Sequence, residues 1–241
     1  KTSTGQANAV GDGTGTVTAT DITVANRYSR NGYSNLGTWS LLAGTTNVYV
    51  AKDASNQNQW VMIEGQTRPF LWSEYSTNIN NLHQLQLMAV DLTKNYTVHH
   101  NIDATATNGV NTSDMWSTAG FSPIGNNSNR FTGKFDGLNH TISNLNINRA
   151  NQDYVGLFGV TNNATIQNIG LIQANIKGSW RVGALIGEAN YTNTSNAFST
   201  GQVNGYQSVG GLVGRNLNQS SILSSYSNAQ VTATNNFAGG L

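Results

Sequence analysis

The sequence predicts an all-β protein built as a parallel β-helix, a solenoid of about 27 residues per coil, with one short helix near residues 78–90. Two observations carry this expectation. A glycine-bounded signature returns as Val155-Gly156-Leu157-Phe158-Gly159, Val182-Gly183-Ala184-Leu185-Ile186-Gly187 and Val209-Gly210-Gly211-Leu212-Val213-Gly214, and Ala238-Gly239-Gly240-Leu241 enters a fourth copy. Its closing glycines stand 28 and 27 residues apart, enough for three short strands and three turns. After each signature come short aliphatic and β-branched runs of strand length, such as Ile166 to Ile169 and Leu171 to Ile176. A propeller blade needs about forty residues, and a sandwich needs no recurring glycine signature. The glycines are read as coil corners, each permitting a turn before aliphatic residues enter the core.

The elements follow in chain order. Val17 to Val24 approaches strand alternation. Trp39 to Val50 gives two strand candidates broken by Gly44, and Trp60 to Ile63 a third, while Pro69 makes an interior strand position unfavourable. Between Asn78 and Asp91, Ile79, Leu82, Leu85 and Met88 recur every third residue, which predicts one helix of about three turns capped by Asn78. Asn81, Gln84 and Gln86 are expected on its outer face. Strands resume at Tyr96 to Val98 and near Ile102, and modular strand pairs run from Met115 onward. This divides the chain into a β-rich capping region with the helix, 1–95, and repeated coils, 96–241, which break off inside a repeat. An open solenoid exposes backbone at its ends, so the first region is expected to cover one end and a longer parent chain to continue past the other.

Composition limits the functions. The chain is rich in Asn, Thr, Ser and Gly, with 10% charged and 37% hydrophobic residues and a formal net charge of +1 in 241 residues. No basic block exists to meet phosphate, which argues against nucleic-acid binding. No apolar run reaches eighteen residues, and there is no cysteine for a disulfide or thiolate site.

From Tyr96 to Leu241 the chain resembles filamentous-haemagglutinin-like secreted adhesins that carry GLUG repeats. The resemblance rests on Tyr96 with Ile102-Asp103-Ala104, Trp116 with Gly120-Phe121-Ser122-Pro123-Ile124-Gly125, the runs Phe131 to Gly137 and His140 to Ile142, and the glycine signatures. It implies a right-handed parallel β-helix exported with an outer-membrane secretion partner, displayed at the cell surface and used for attachment to a host-cell or extracellular glycan or protein. The first signature lacks a residue that the later copies have at Ala184 and Gly211, which predicts a local shift at one turn.

Candidate chemistry is sparse. Glycoside hydrolysis needs two carboxyl groups flanking a bond, and only Asp136 and Asp153 lie close together in the repetitive part. Asp136 precedes Gly137 as in an Asp-Gly turn, and Asp103 lacks the spaced acidic run of a calcium loop. Of the histidines, His99 and His100 would point to opposite faces of a strand, and His140 is expected to bond a turn. No Gly-x-Ser-x-Gly elbow or phosphate-binding loop is present. No cofactor, metal or enzymatic activity is therefore expected. Trp180, following Gly178 and Ser179, is the candidate exposed contact, with Arg181 as a charged donor beside it. The repeat glycines Gly156, Gly159, Gly183, Gly187, Gly210, Gly211 and Gly214 are assigned structural roles. Eight Asn-x-Ser/Thr sequons, at Asn95, Asn111, Asn126, Asn139, Asn163, Asn190, Asn193 and Asn218, permit glycosylation. The expected function is a nonenzymatic, monomeric segment of a secreted adhesin, giving reach, stiffness and a repeated contact surface. The alternatives are a glycan-processing β-helix enzyme and a purely structural or secretion-associated shaft.

Overall fold

The computed structural model describes residues 26–109 and 115–241. The strand expected at 17–24 lies outside the described residues, as do Asn111 and Asp114.

A four-stranded antiparallel sheet comes first, in the order β1 (Thr38–Leu41), β2 (Val48–Lys52), β3 (Asn58–Ile63) and β4 (Phe70–Leu71). Gly44 makes the first hairpin with φ 78°, and Asp53 makes the second by accepting the N–H groups of Ser55 and Gln57 at 2.9 Å. Pro69, with no N–H for a ladder, stands just ahead of the short edge strand β4.

The chain then becomes a parallel stack. β5 (Asn78–Ile79) pairs with β6 (Tyr96–Val98), so parallel pairing begins upstream of residue 96. Between these strands lies the helix α1 (Leu82–Leu87), continued by a 3-10 turn over Met88–Val90. It is shorter than the periodicity predicts, because Asn78 belongs to a strand. Asn81 is the cap, its side chain accepting from Gln84 N at 3.0 Å. Gln86 does not face outward. Its buried amide accepts from the Trp116 indole at 2.8 Å and exchanges two bonds with the Ser122 backbone, tying helix to solenoid.

The first full coils use β7 (Ile102–Asp103), β8 (Lys134–Asp136), β9 (Thr141–Ser143) and β10 (Asn146–Asn148), followed by β11 (Phe158–Asn162), the long β12 (Thr165–Lys177) and β13 (Trp180–Gly183). The same path repeats in β14 (Ile186–Asn190), β15 (Asn193–Gly205) and β16 (Gln207–Gly210), and again in β17 (Val213–Leu217), β18 (Ser221–Leu223), β19 (Tyr226–Ala233) and β20 (Ala238–Gly239). Equivalent strands stack in three sheets: β11-β14-β17, β13-β16-β20, and a larger sheet containing β12 and β15. β12 bends through three pieces, pairing in turn with β8, β9 and β10. The fold is thus a parallel β-solenoid of about 4 turns with ~28 residues per turn.

The register shows where the period changes. Val155 stands beside Val182, 27 residues on, whereas Phe158 stands beside Ile186, 28 on, so the second copy's additional residue is absorbed inside the signature. The long strands return the count to 27 by a shift between Leu171 and Ala174, where Gln173 takes φ 53°. Phe135, Phe158, Ile166, Leu171, Ile176, Val182, Leu185 and Leu212 fill the axis and are fully buried. Each such side chain contributes about 1.5–3 kcal/mol relative to exposure.

The repeat glycines act differently from the sequence expectation. None of the seven has positive φ; the left-handed position at the neighbouring corner is taken by Tyr154, Arg181 and Ser208, with φ 59°, 60° and 55°. What the glycines supply is space. A Cβ on Gly156 would lie 2.7 Å from the Gly183 carbonyl oxygen, and one on Gly187 would lie 2.6 Å from that of Gly159. Backbone meets backbone there, and no side chain fits between.

Candidate functional surface

The coil corner fixes the first candidate site. Tyr154, the residue before the first signature, donates its N–H to the Trp180 carbonyl at 2.8 Å, which places the Trp180-Arg181 corner directly on the coil before it. Asp153 Oδ1 accepts the Trp180 N–H at 3.2 Å. The Trp180 side chain, 41% exposed, opens β13 and lies parallel to Tyr206, 46% exposed, with centroids 6.3 Å apart and planes 16° apart.

Arg181 belongs to the scaffold at this corner. Its Nε donates to Glu188 Oε2 at 2.9 Å, and its guanidinium lies 4.7 Å from the Tyr154 ring centroid. Glu188 is buried and takes a second, longer contact of 3.5 Å from Arg215, its neighbour across β14 and β17. One carboxylate thus ties two arginines of successive coils.

A second aromatic pair crosses the same coils. Phe198 of β15 and Tyr226 of β19 are register partners, and their rings stack at 5.4 Å with an 8° angle. Gly170 precedes them in the column, and a Cβ there would collide with the Phe198 ring. Sequence reasoning missed Tyr206, Phe198 and Tyr226. Aligning coils on the closing glycines would have brought Gly170 and Phe198 into one column, with Tyr226 one position out of step because the third coil gains a residue between Leu217 and Ser221.

Between the aromatics run amide ladders. Asn190 donates to Asn162 Oδ1 at 2.5 Å and accepts from Asn218 at 2.6 Å. Asn168 donates to Asp136 at 2.9 Å and accepts from Asn196 at 3.0 Å. Asn190 is buried in its ladder, so this sequon presents no free amide.

The other candidates are held in local bonds. Burial raises the Asp136 carboxyl, but the Asn168 amide, the Leu138 N–H, Lys134 and Gln167 together outweigh it and hold the group below its ordinary value. Asp103 accepts from Thr105 and Asn144 and is likewise lowered, first by the Thr105 hydroxyl. His140 meets Asn101 Oδ1 at 3.2 Å. His99 and His100 are exposed, and no group of three metal-ligating side chains occurs among the described residues. Trp116 and Phe135 are core residues.

A further cleft lies where the antiparallel sheet meets the first coils. It has a volume of about 590 Å³ and is walled by Leu42, Trp72, Tyr75 and Leu92, with Asp91, Lys94 and Arg130 at its margin. A smaller polar cavity of about 90 Å³ shares Thr45, Leu92 and Asn129 with it and reaches Arg149. Arg149 is buried, which pushes its guanidinium down to about 10, and it donates to the carbonyls of Phe121 and Gly120 and to Gln152.

The family model described as the GLUG motif matches residues 205–232, spanning the third signature and the strand after it. Halomucin of Haloquadratum walsbyi is 41% identical over 124 residues, 49% of this chain and 1% of that protein. A protein of Evansella cellulosilytica titled "Putative Gly-rich membrane protein" is 38% identical over 132 residues, 40% of this chain and 15% of that protein. The chain therefore spans only a small part of the length of either relative. No solved structure matches it. This chain is a β-solenoid that carries a GLUG motif, similar over part of its length to halomucin and to a protein titled as a Gly-rich membrane protein.

Proposed function

We propose that the chain is a nonenzymatic segment of a secreted, cell-surface adhesin, in which a stiff solenoid presents aromatic contacts for attachment. The observation that carries this reading is the pair of outward ring stacks, Trp180 with Tyr206 and Phe198 with Tyr226, each spanning adjacent coils. Flat exposed rings stack on sugar rings or apolar patches, and the Tyr206 and Tyr226 hydroxyls can hydrogen-bond a ligand's hydroxyls. Each contact is weak, and many copies displayed on one surface raise the total binding. The titles of the two relatives, a mucin-like name and a membrane protein, support an extracellular or surface location. In a Gram-negative cell such a segment would reach the surface through an outer-membrane secretion partner.

The test is a screen of the purified chain against immobilised glycans and cell-surface protein preparations. Saturable attachment to a defined subset is expected. Attachment equal to that of an unrelated soluble control on every surface would overturn the reading in favour of a shaft, and turnover of a bound oligosaccharide would replace it with the enzyme.

A further inference from the structure

We propose that the cleft between the antiparallel sheet and the first coils binds an anionic saccharide, a sugar chain carrying carboxylate or sulfate groups. The proposal deepens the attachment reading and rests on it for its biological setting. At about 590 Å³ the cleft is the size of a small-molecule site and accommodates a short oligosaccharide. Its lining lies away from the Trp180–Tyr206 corner.

Its aromatic wall is held in place. Trp72 and Tyr75 belong to one 3-10 turn and its cap, with ring centroids 6.0 Å apart and planes 37° apart. The Tyr75 hydroxyl meets that of Tyr96 at 3.2 Å, and Tyr96 in turn donates to the Asp91 carbonyl at 2.6 Å, so the ring is tethered at its hydroxyl end. Both side chains are half-buried, which leaves part of their surface to the cleft. A rigid aromatic surface of this kind suits the C–H face of a sugar ring.

The polar groups select the charge of the ligand. Among the described residues neither the Trp72 indole N–H nor the Lys94 ammonium has a hydrogen-bond partner, and Arg130 bonds only Asn127 of its own loop, at 3.3 and 3.4 Å. Against these donors stands one carboxylate, Asp91, whose Oδ1 is already taken by the N–H and hydroxyl of Thr93. The charged groups of the lining are thus two cations against one carboxylate that is partly engaged by Thr93. A sugar supplying carboxylate or sulfate oxygens complements this lining, and the Arg130 fork can take such a group with two parallel bonds.

The experiment titrates the whole purified chain by calorimetry with three probes: a galacturonate oligosaccharide, a sulfated oligosaccharide, and a neutral glucose oligosaccharide of the same length. At least one anionic probe is expected to bind, ten-fold or more tighter than the neutral one, and to weaken as salt is raised. Trp72→Ala, Lys94→Gln and Arg130→Gln should each weaken it at least three-fold, whereas Lys177→Gln, an exposed charge outside the cleft, should not. Lys94 is exposed, so Lys94→Gln keeps the test open if a buried-wall variant misfolds; the melting temperature of each variant identifies that case. Binding of neither anionic probe, equal binding of the neutral one, or full affinity in both charge variants overturns the proposal. If the chain attaches to surfaces while neither anionic probe binds it, or while the charge variants bind the probe at full affinity, the cleft alone is wrong. If the native chain attaches to nothing, the attachment reading fails with it.

Discussion

Asparagine 190 does more for this fold than its sequon suggests. Asn190 donates to Asn162 and accepts from Asn218, so its buried amide is satisfied while it links three coils. Asn190→Ala removes two of these bonds and strands two partners, which should cost about 1–3 kcal/mol in urea unfolding. Asp136 carries a pH signature. Its folded value lies below the ordinary one near 3.8, so its stabilisation is complete above that pH and is lost as pH falls through the folded value. In acid titrations Asp136→Asn should flatten this segment of the stability curve. Gly183 was readable in the sequence, but for the wrong reason: its recurrence reflects a backbone contact, since a Cβ there would press on the Gly214 N–H and the Leu212 carbonyl. Gly183→Ala should therefore destabilise by about 1–3 kcal/mol through overpacking, measured by thermal unfolding. The left-handed corners were not legible, because Tyr154, Arg181 and Ser208 share no chemical character.

At the scale of elements, short antiparallel strands and coil strands followed from alternation and turn residues, while the helix was visible but overlong. Its three-residue apolar spacing runs into Asn78–Ile79, where parallel pairing with β6 takes the backbone hydrogen bonds first. The cap consequently moves to Asn81. Asn81→Ala should cost about 1 kcal/mol, read by chemical denaturation, and Asn78→Ala should cost less at this helix end. Gln86 was assigned to solvent because it falls between the apolar positions of the predicted stripe. Long-range partners, the Trp116 indole thirty residues on and the Ser122 backbone, make its burial favourable, and no local pattern encodes that.

For the molecule as a whole, the glycine period was sufficient to reveal a solenoid because every coil must repeat the same close approach. The surface was far less legible. Trp180 stood out by its place after Gly178 and Ser179, whereas Tyr206, Phe198 and Tyr226 gain significance only when coils are superposed, and the Trp72–Tyr75 cleft depends on how a nonrepeating sheet meets the stack. In a solenoid each coil contacts only its neighbours, so a surface substitution acts locally and can be tested without disturbing the shaft. The most direct measurement compares attachment of the native chain with that of the Trp180→Ala/Tyr206→Ala double variant on the surface the native chain binds best. The account predicts at least a ten-fold loss of attachment at unchanged melting temperature; undiminished attachment by the folded double variant would contradict it.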